Sequence, residues 1–379
     1  MPSISVILPA MGTGAGKVAL VVTSHHETPS CAELRRLAEA DERPRKDYVV
    51  LAGLLDAEVI DNHFMEERAN PFARVLSHRN MVAGQVAEVF LHQRRYEHIL
   101  AWADRLGLPL ATLFKLTRSR QDLVMVSTWA TRTRKALFFN PLHVETHLAK
   151  IFARSLQAQL MAERLGVPRA KLQVEPRGVD ERFWRPMPEV PVEDLVCSVG
   201  WEARDYRTLI EAVRPLKVRA ELAVGAIAKP LLSDTRGPVA RSLKEIAGAG
   251  LPPNVALTQR NPKELRALYA RSRLAVITVQ DVEFDAGVTA TTEAMAMGKP
   301  VIASRTPGIA DLFQHGEHGL YVPPGDVGAL REALTHLLTR PEEAQRMGRA
   351  GRAKVEKEHT LEACMRRFAD AVLQGGGSA

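Results

Sequence analysis

Short apolar runs that alternate with helical stretches are the feature that most constrains the fold of this chain. In its second half the runs are LVCSVG, RAELAVG, NVALTQ and LAVITV, and the helical stretches include RDYRTLIEAVRPL and PKELRALYARS. Strands that alternate with helices of this length predict parallel βαβ units with right-handed crossovers. A similar alternation runs through the first half. We therefore predict an α/β fold of two Rossmann-like, doubly wound domains that face each other across a cleft.

The domain boundaries are predicted from one proline-rich stretch, RFWRPMPEVPVEDL, which shows little periodicity and is typical of a linker. The predicted parts are an N-terminal domain over residues 1–180, a linker over 181–193, a C-terminal domain over 194–358 and a helix over 359–373. We expect this last helix to cross back to the first domain.

Three finer expectations concern single elements. The GLP at residues 107–109 predicts a stop just before a helix, and a long helix is predicted from about Pro141 to Leu165. The run LAVITVQDVEF predicts one strand that continues to Phe284.

Composition excludes several classes of protein. No apolar run approaches the ~18 residues that a membrane-spanning helix needs. The N-terminal MPSISVILPAMG has no basic start, so it is predicted to be a strand and not a signal peptide. Cys31, Cys197 and Cys364 lie far apart and give neither a disulfide framework nor a metal cluster, which favours a cytoplasmic protein.

The net charge of +7 favours anionic ligands. A basic cluster flanks the apolar run LVMVSTWA, and its members are Arg118, Arg120, Arg132, Arg134 and Lys135. Two interpretations stay open: the solvated edge of a buried strand, and a peripheral contact with anionic lipid at the inner membrane face. Nucleic acid is disfavoured as a partner, because the sequence has no zinc-finger spacing and no ribonucleoprotein-type aromatic motif.

A glycine-rich loop near the N-terminus, MGTGAGKVAL, resembles a phosphate-binding loop only in part. Val18 follows Lys17 where the Walker pattern needs Ser or Thr, and Met11 stands where it needs the first glycine. Nucleotide hydrolysis is therefore disfavoured. The two remaining interpretations are a structural turn and a loop at the cleft near the transferred group, for which Gly14 and Gly16 are the candidates.

The stretch VEFDAGVTATTEAMAMGKPVIAS, from Val282 to Ser304, holds the strongest candidate site. Gly287 allows a tight turn, and a helix capped by one of the threonines at 289, 291 or 292 is expected to follow. The free amides at the helix start suit a diphosphate. Glu293 would accept hydrogen bonds from a ribose diol, and Asp285 from sugar hydroxyls. The alternative is an ordinary capped helix with surface acids.

This stretch resembles the E-x7-E signature of family 4 retaining glycosyltransferases, which have the GT-B fold and belong to glycosyl transferases group 1. Asp285 stands in place of the first glutamate, and the second is Glu293 in EAMAMGKPVIA. Three further stretches resemble the family's motifs in the same order: VEPRGVDERFWRP, SVGWEARDYRTLIEAV and PGIADLFQHGEHGLYVPPGDVGALREAL. Together they cover about Gln173 to Leu338, whereas the first 170 residues match only in general pattern.

The resemblance implies that a nucleoside diphosphate leaves the anomeric carbon of a hexose-type sugar while an acceptor hydroxyl attacks the same face. By spacing, Arg204 takes the place of the family's phosphate-binding lysine and keeps its charge. The implied catalytic residues are Asp285 and Arg204. The implied donor-binding residues are Gly200, Arg204, Gly287, Val288, Thr289 and Glu293.

Two departures from the family pattern concern the sugar side of the site. Asp285 is one methylene shorter than the usual glutamate. In the N-terminal domain, many relatives have a histidine in the loop that follows a strand such as DLVMVST. Here Ser127, Thr128 and Trp129 stand there instead, and Thr128 is the candidate.

The resemblance also implies which small molecules and partners are needed. It implies transfer without a metal and without a cofactor other than the donor, with a UDP-sugar as the family default. A magnesium site at Asp281, Glu283 and Asp285 is the disfavoured alternative. The acceptor is open among a glycan, a lipid-linked molecule and a small soluble molecule.

Two other functions stay open on the same fold. One is a catalytically weak protein that binds a sugar nucleotide or a glycan, and the other is a sugar-nucleotide epimerase. The first would bind a donor without releasing nucleotide, and the second would convert a donor without any acceptor.

Overall fold

The structure, a computed structural model, describes residues 18–23, 28–127, 133–175, 177–224, 248 and 250–374. The candidates Gly14, Gly16 and Thr128 lie outside these residues, as does Arg132 of the basic cluster. The chain divides into two compact units. The first contains Met1–Arg36, Arg45–Pro176 and Cys364–Ala379, and the second contains Leu37–Pro44 and Arg177–Ala363. The domain limits drawn from the sequence stay a prediction.

The first unit is built on a parallel sheet of six strands in its described part, in the order β2-β1-β3-β4-β5-β6. The strands are β1 Val18–Val21, β2 Glu58–Ile60, β3 His98–Ala101, β4 Asp122–Ser127, β5 Lys150–Ala153 and β6 Leu172–Val174. The helices are α1 Cys31–Glu39, α2 Asp47–Leu55, α3 Asn62–Glu67, α4 Pro71–Arg79, α5 Met81–His92, α6 Asp104–Thr117, α7 Thr133–Phe139 and α8 Ser155–Leu165. Every residue of β1 is buried, as expected for a strand inside a parallel sheet with both faces covered.

Two element predictions in the first unit are wrong. The predicted helix from Pro141 to Leu165 contains strand β5, and only Ser155–Leu165 is α-helical there. A four-residue apolar strand between helical stretches cannot be told from a buried helix by periodicity. The predicted stop at GLP is also absent, because α6 continues through Pro109, where burial of Leu108 and Leu110 stabilises the helix.

The second unit has its own parallel sheet of six described strands, in the order β12-β11-β10-β7-β8-β9. The strands are β7 Leu195–Val199, β8 Arg219–Ala223, β9 Val255–Thr258, β10 Leu274–Ile277, β11 Val301–Ser304 and β12 Gly319–Val322. The described helices are α9 Tyr206–Val213, α10 Pro262–Arg271, α11 Val288–Ala296, α12 Val327–Thr339 and α13 Pro341–Glu358. The prediction of two parallel, Rossmann-like α/β domains is confirmed.

The order of the second sheet reverses at β7. The chain goes from β7 to β8 and β9 on one side, then returns to place β10 on the other side of β7. In open parallel sheets a ligand binds beyond the carboxyl ends of the strands where the order reverses. The loops after β7 and β10 therefore lie at the expected ligand position of this unit.

Strand β10 ends at Ile277, so the predicted strand to Phe284 is wrong in its second half. The cause is a local antiparallel pairing with the loop after β7. The Gln280 amide donates to the Ala203 carbonyl at 2.9 Å, and the Asp205 amide donates to the Thr278 carbonyl at 3.1 Å. Residues 278–280 are thus bound to the β7 loop and leave the parallel ladder.

Two segments outside the sheets are well packed, the predicted linker and the C-terminal helix. Residues 181–193 form no helix or strand, yet Phe183 and Trp184 are buried in the core of the second unit. Helix α14, Leu361–Leu373, follows α13, and its Phe368 stacks on Phe152 of the first sheet with ring centroids 3.8 Å apart. In the part of the chain that the structure describes, no helix has the length and apolarity to cross a membrane.

Candidate functional site

Arg204 is the central cation of the site at the reversal point. It lies in the loop after β7 and is 6% exposed. Its Nε donates to the Val199 carbonyl at 2.8 Å, and its Nη1 donates to the Glu202 carbonyl at 3.2 Å. The guanidinium is therefore held by the end of the strand and by its own loop.

Two glycines with a positive φ lie beside this guanidinium, and one of them, Gly200, makes room for it. Gly200 has a φ of +116°, and a Cβ there would overlap Nη2 of Arg204. Gly287 has a φ of +91°, and a Cβ there would lie 3.7 Å from Nη1 of Arg204 and 3.0 Å from the Ile277 side chain. The guanidinium thus lies against the turns that follow β7 and β10.

The positive charge of Arg204 lies near Glu293 but does not form an ion pair with it. Burial lowers the pKa of Arg204, while Tyr206, Tyr269 and Glu293 act in the opposite direction. Among the described residues, no carboxylate forms an ion pair with this guanidinium. A buried arginine held mainly by carbonyl oxygens keeps its charge and is suited to an anionic ligand.

Helix α11 begins directly beside Arg204. Its N-cap is Gly287, and no side chain caps the helix. The predicted threonine cap is therefore wrong: the Thr292 hydroxyl instead donates back to the carbonyls of Val288 and Thr289 at 3.1 and 3.0 Å. No side chain accepts a hydrogen bond from the first amides of the helix, which are those of Val288 and Thr289. These amides can therefore donate to an anionic ligand, and the helix dipole favours negative charge at the same place.

Glu293 lies on α11, one and a half turns after Gly287, and is half-buried. The Tyr269 hydroxyl donates to its Oε2 at 3.3 Å. Tyr269 was missed by the sequence analysis, because in PKELRALYARS it looks like any aromatic residue on the buried face of a helix. Only the packing of α10 against α11 brings it to the site.

Asp285 lies in the loop between β10 and α11, two residues before Gly287. Both of its carboxylate oxygens are buried. Gly308 packs so closely on this loop that a Cβ there would lie 2.5 Å from the Phe284 carbonyl oxygen and 2.8 Å from the Asp285 Cα. The loop is therefore held in place by the turn after β11.

The acids around Asp285 do not lie on one face of a strand. Asp281 and Glu283 are exposed, and the segment is a loop rather than the predicted strand. The described residues contain no group of three His, Cys, Asp or Glu side chains placed to hold a metal ion.

The structure thus brings together Gly200 and Arg204 from the loop after β7 with Gly287 and Glu293 from the turn and helix after β10. Val288 and Thr289 are placed by the same turn as Gly287. Chemically, the arrangement offers one buried cation, one uncapped helix start and one half-buried carboxylate. These are the groups that a diphosphate and a diol would bind.

The chain is similar to a known protein family and to several known proteins. The family model described as "Glycosyl transferases group 1" matches residues 204–354. The amylovoran biosynthesis glycosyltransferase AmsK of Erwinia amylovora is 29% identical over 238 residues, which are 60% of this chain and 56% of that protein. The chain therefore matches little more than half the length of this relative.

Two solved structures share the fold. Sucrose-phosphate synthase from Thermosynechococcus elongatus has a TM-score of 0.69 at 17% identity, over 94% of this chain and 98% of that one. Anabaena HepE in complex with UDP and glucose has a TM-score of 0.68 at 18% identity, over 94% of this chain and 99% of that one. Both structures share the two-domain fold of this chain, and the family model and AmsK show its similarity to glycosyltransferases.

Proposed function

We propose that the protein is a retaining glycosyltransferase that moves a hexose-type sugar from a UDP-sugar to an acceptor hydroxyl. One observation supports this most: the buried Arg204 and the uncapped start of α11 lie together where the sheet order reverses. The complex of HepE with UDP and glucose supports the choice of donor, because that protein has the same fold.

Each part of the donor has a group that suits it. The diphosphate is bound by Arg204 and by the amides of Val288 and Thr289. Gly200 and Gly287 let the backbone and the guanidinium approach. The ribose diol is bound by Glu293, and the sugar hydroxyls by Asp285.

The chemical step follows from these positions. When the bond between the anomeric carbon and the phosphate oxygen breaks, negative charge grows on the leaving diphosphate. Arg204 and the dipole of α11 stabilise that charge, and they are already in place before the reaction. The acceptor oxygen bonds to the same face of the anomeric carbon, and its proton passes to the leaving diphosphate oxygen on that face, so the configuration is retained. No metal is required in this scheme, because the two positive elements supply the electrostatic stabilisation.

The acceptor side is assigned to the first unit. A glycan, a lipid-linked molecule and a small soluble molecule all present the hydroxyl that the reaction consumes. The proposed location is the cytoplasm, with a peripheral contact at the inner membrane face if the acceptor is lipid-linked.

The alternative is a catalytically weak protein that binds a sugar nucleotide. The burial of both Asp285 oxygens favours this alternative. A sugar hydroxyl must reach the carboxylate before Asp285 can contribute to the transfer, and burial hinders that contact. Binding without nucleotide release is the result that distinguishes this protein from the transferase.

The test is a nucleotide-release assay over a panel of UDP- and GDP-sugars, on the wild type and on Glu293→Ala. Slow release from one donor, with KM raised roughly tenfold or more in the variant because a charged hydrogen bond to the diol is lost, supports the transferase. Thermal stabilisation by a donor without release supports the binding protein. No release and no stabilisation by any donor would contradict both.

A further inference from the structure

Tyr269 contacts the proposed donor site although no motif includes it. It lies on α10 and is fully buried, and the Trp184 ring meets it edge-on at 5.8 Å. Its hydroxyl lies 3.3 Å from Oε2 of Glu293 and 3.3 Å from the carbonyl oxygen of Ala290. Both acceptors belong to α11, so one phenol joins the two helices at the carboxylate.

The direction of these hydrogen bonds is fixed by chemistry. Burial and the nearby Glu293 carboxylate raise the pKa of Tyr269 well above its ordinary value, so the phenol stays protonated. A carbonyl oxygen and a carboxylate oxygen can only accept, so Tyr269 is the donor, and its single proton is shared between the two acceptors in a bifurcated hydrogen bond. The phenol therefore occupies one oxygen of Glu293 and fixes the plane of its carboxylate relative to the helix.

A second group acts on the same carboxylate. Arg204 is close enough to interact electrostatically with both Glu293 and Tyr269, yet it forms no ion pair with a described carboxylate. If the phenol were removed, Glu293 would lose its anchor on α10 while the attraction of the buried cation remained. The carboxylate would then turn away from the orientation that Tyr269 imposes.

We propose that Tyr269 is a positioning residue that orients the Glu293 carboxylate toward the ribose diol of the donor nucleotide. This inference rests on the proposed function, because it assumes that Glu293 binds a diol. Tyr269 itself touches Glu293 and not the nucleotide. Its effect should therefore appear in the preference for nucleotides that carry the diol, and not as a uniform loss of binding.

The experiment compares the affinities of UDP and 2′,3′-dideoxy-UDP, and of the GDP pair, by calorimetry. The ratio of the two Kd values isolates the diol, because any change in diphosphate binding is common to both nucleotides. We expect the wild type to prefer the diol roughly tenfold or more, as for one hydrogen bond to a charged group. In Tyr269→Phe the ratio should fall to about 2–3, since the carboxylate is present but misoriented.

Two controls separate positioning from general damage. Tyr321→Phe also removes a buried phenol hydroxyl in the second unit, one that bonds the Ile309 carbonyl beside the stacked ring of Phe313, and it should keep the wild-type ratio. Glu293→Gln should lower the ratio, and adding Tyr269→Phe to it should change the ratio no further.

The experiment distinguishes a failure of the positioning role of Tyr269 from a failure of the proposed function. If the wild type binds the ribonucleotide with a clear preference and Tyr269→Phe keeps that preference, the positioning role is overturned and the proposed function stands. If the wild type binds UDP and its dideoxy analogue equally, the diol role of Glu293 fails and the inference with it. If neither nucleoside diphosphate binds, the proposed function fails as well.

Discussion

Substituting Gly200 by alanine tests whether the site depends on the space that Gly200 leaves for the Arg204 guanidinium. The backbone there has a φ of +116°, which costs an alanine about 1–3 kcal/mol. The new Cβ would also overlap the guanidinium of Arg204, and this flexible side chain is expected to move away. When it moves, its 2.8 Å hydrogen bond to the Val199 carbonyl is lost and the charge leaves the start of α11.

The expected result combines a modest loss of stability with a large loss of rate. Misplacing one preorganised positive group costs on the order of 10²–10³ in kcat, by analogy with the removal of a single electrostatic donor. The assays are the initial rate of nucleotide release and the free energy of unfolding in urea. Wild type and Gly200→Ala are compared with the same donor at saturating concentration.

Gly325→Ala is the matched control for backbone strain. Gly325 lies in the same unit with a φ of +75°, and a Cβ there meets no atom within 4 Å. It should therefore lose a similar amount of stability while its rate stays near that of the wild type. Equal losses of rate in the two variants, or a wild-type rate in Gly200→Ala, would refute the assignment of Arg204 to the leaving group.

Two further predictions concern stability. Phe368→Ala should lower the free energy of unfolding by about 3–5 kcal/mol, because the ring is fully buried and stacked 3.8 Å from Phe152; a loss below about 1 kcal/mol in urea would show that α14 is not anchored by this ring. Asp41 accepts hydrogen bonds from Arg266 and Arg185, which hold its pKa far below the ordinary value. A lowered pKa contributes stability above the unfolded pKa of about 4 and loses it as the pH falls further, so Asp41→Asn should cost roughly 1 kcal/mol at pH 7 and progressively less below pH 4. A gap between wild type and variant that is unchanged between pH 7 and pH 3 would contradict this.

The sequence predicted the layers of the fold better than it predicted the ends of the elements. Alternating strands and helices identify parallel sheets because each crossover must return the chain to the same edge. The same pattern fails at β5 Lys150–Ala153, since four residues, three of them buried, are too few to reveal the period of the hydrophobic pattern. It fails again after Ile277, where hydrogen bonds to a loop far away in the chain end the strand.

The sequence predicted those parts of the candidate site whose residues lie close together along the chain. Gly287 and Glu293 belong to one short stretch, so a turn and one helix relate them. The absence of a threonine cap is harder to predict from the sequence. The rotamer of Thr292 decides whether its hydroxyl bonds to the helix start or to the Val288 carbonyl, and in the structure it bonds to the carbonyl. Tyr269 could not be found at all, since its role depends on which face of α10 meets α11.

The position of Arg204 shows why strand order decides the site. The sequence places Arg204 after β7 and Gly287 after β10. The described elements that separate them along the chain are α9, β8, β9, α10 and β10. Only when β10 returns to the free side of β7 do the loops after these two strands become neighbours. The antiparallel hydrogen bonds of Gln280 with Ala203 and of Asp205 with Thr278 then join them. The guanidinium comes to lie against both glycines. A circular permutant opened in another loop of the second unit would keep this adjacency. A variant that breaks the pairing of residues 203–205 with 278–280 would lose it, and its affinity for a nucleoside diphosphate should fall even with every proposed binding residue present.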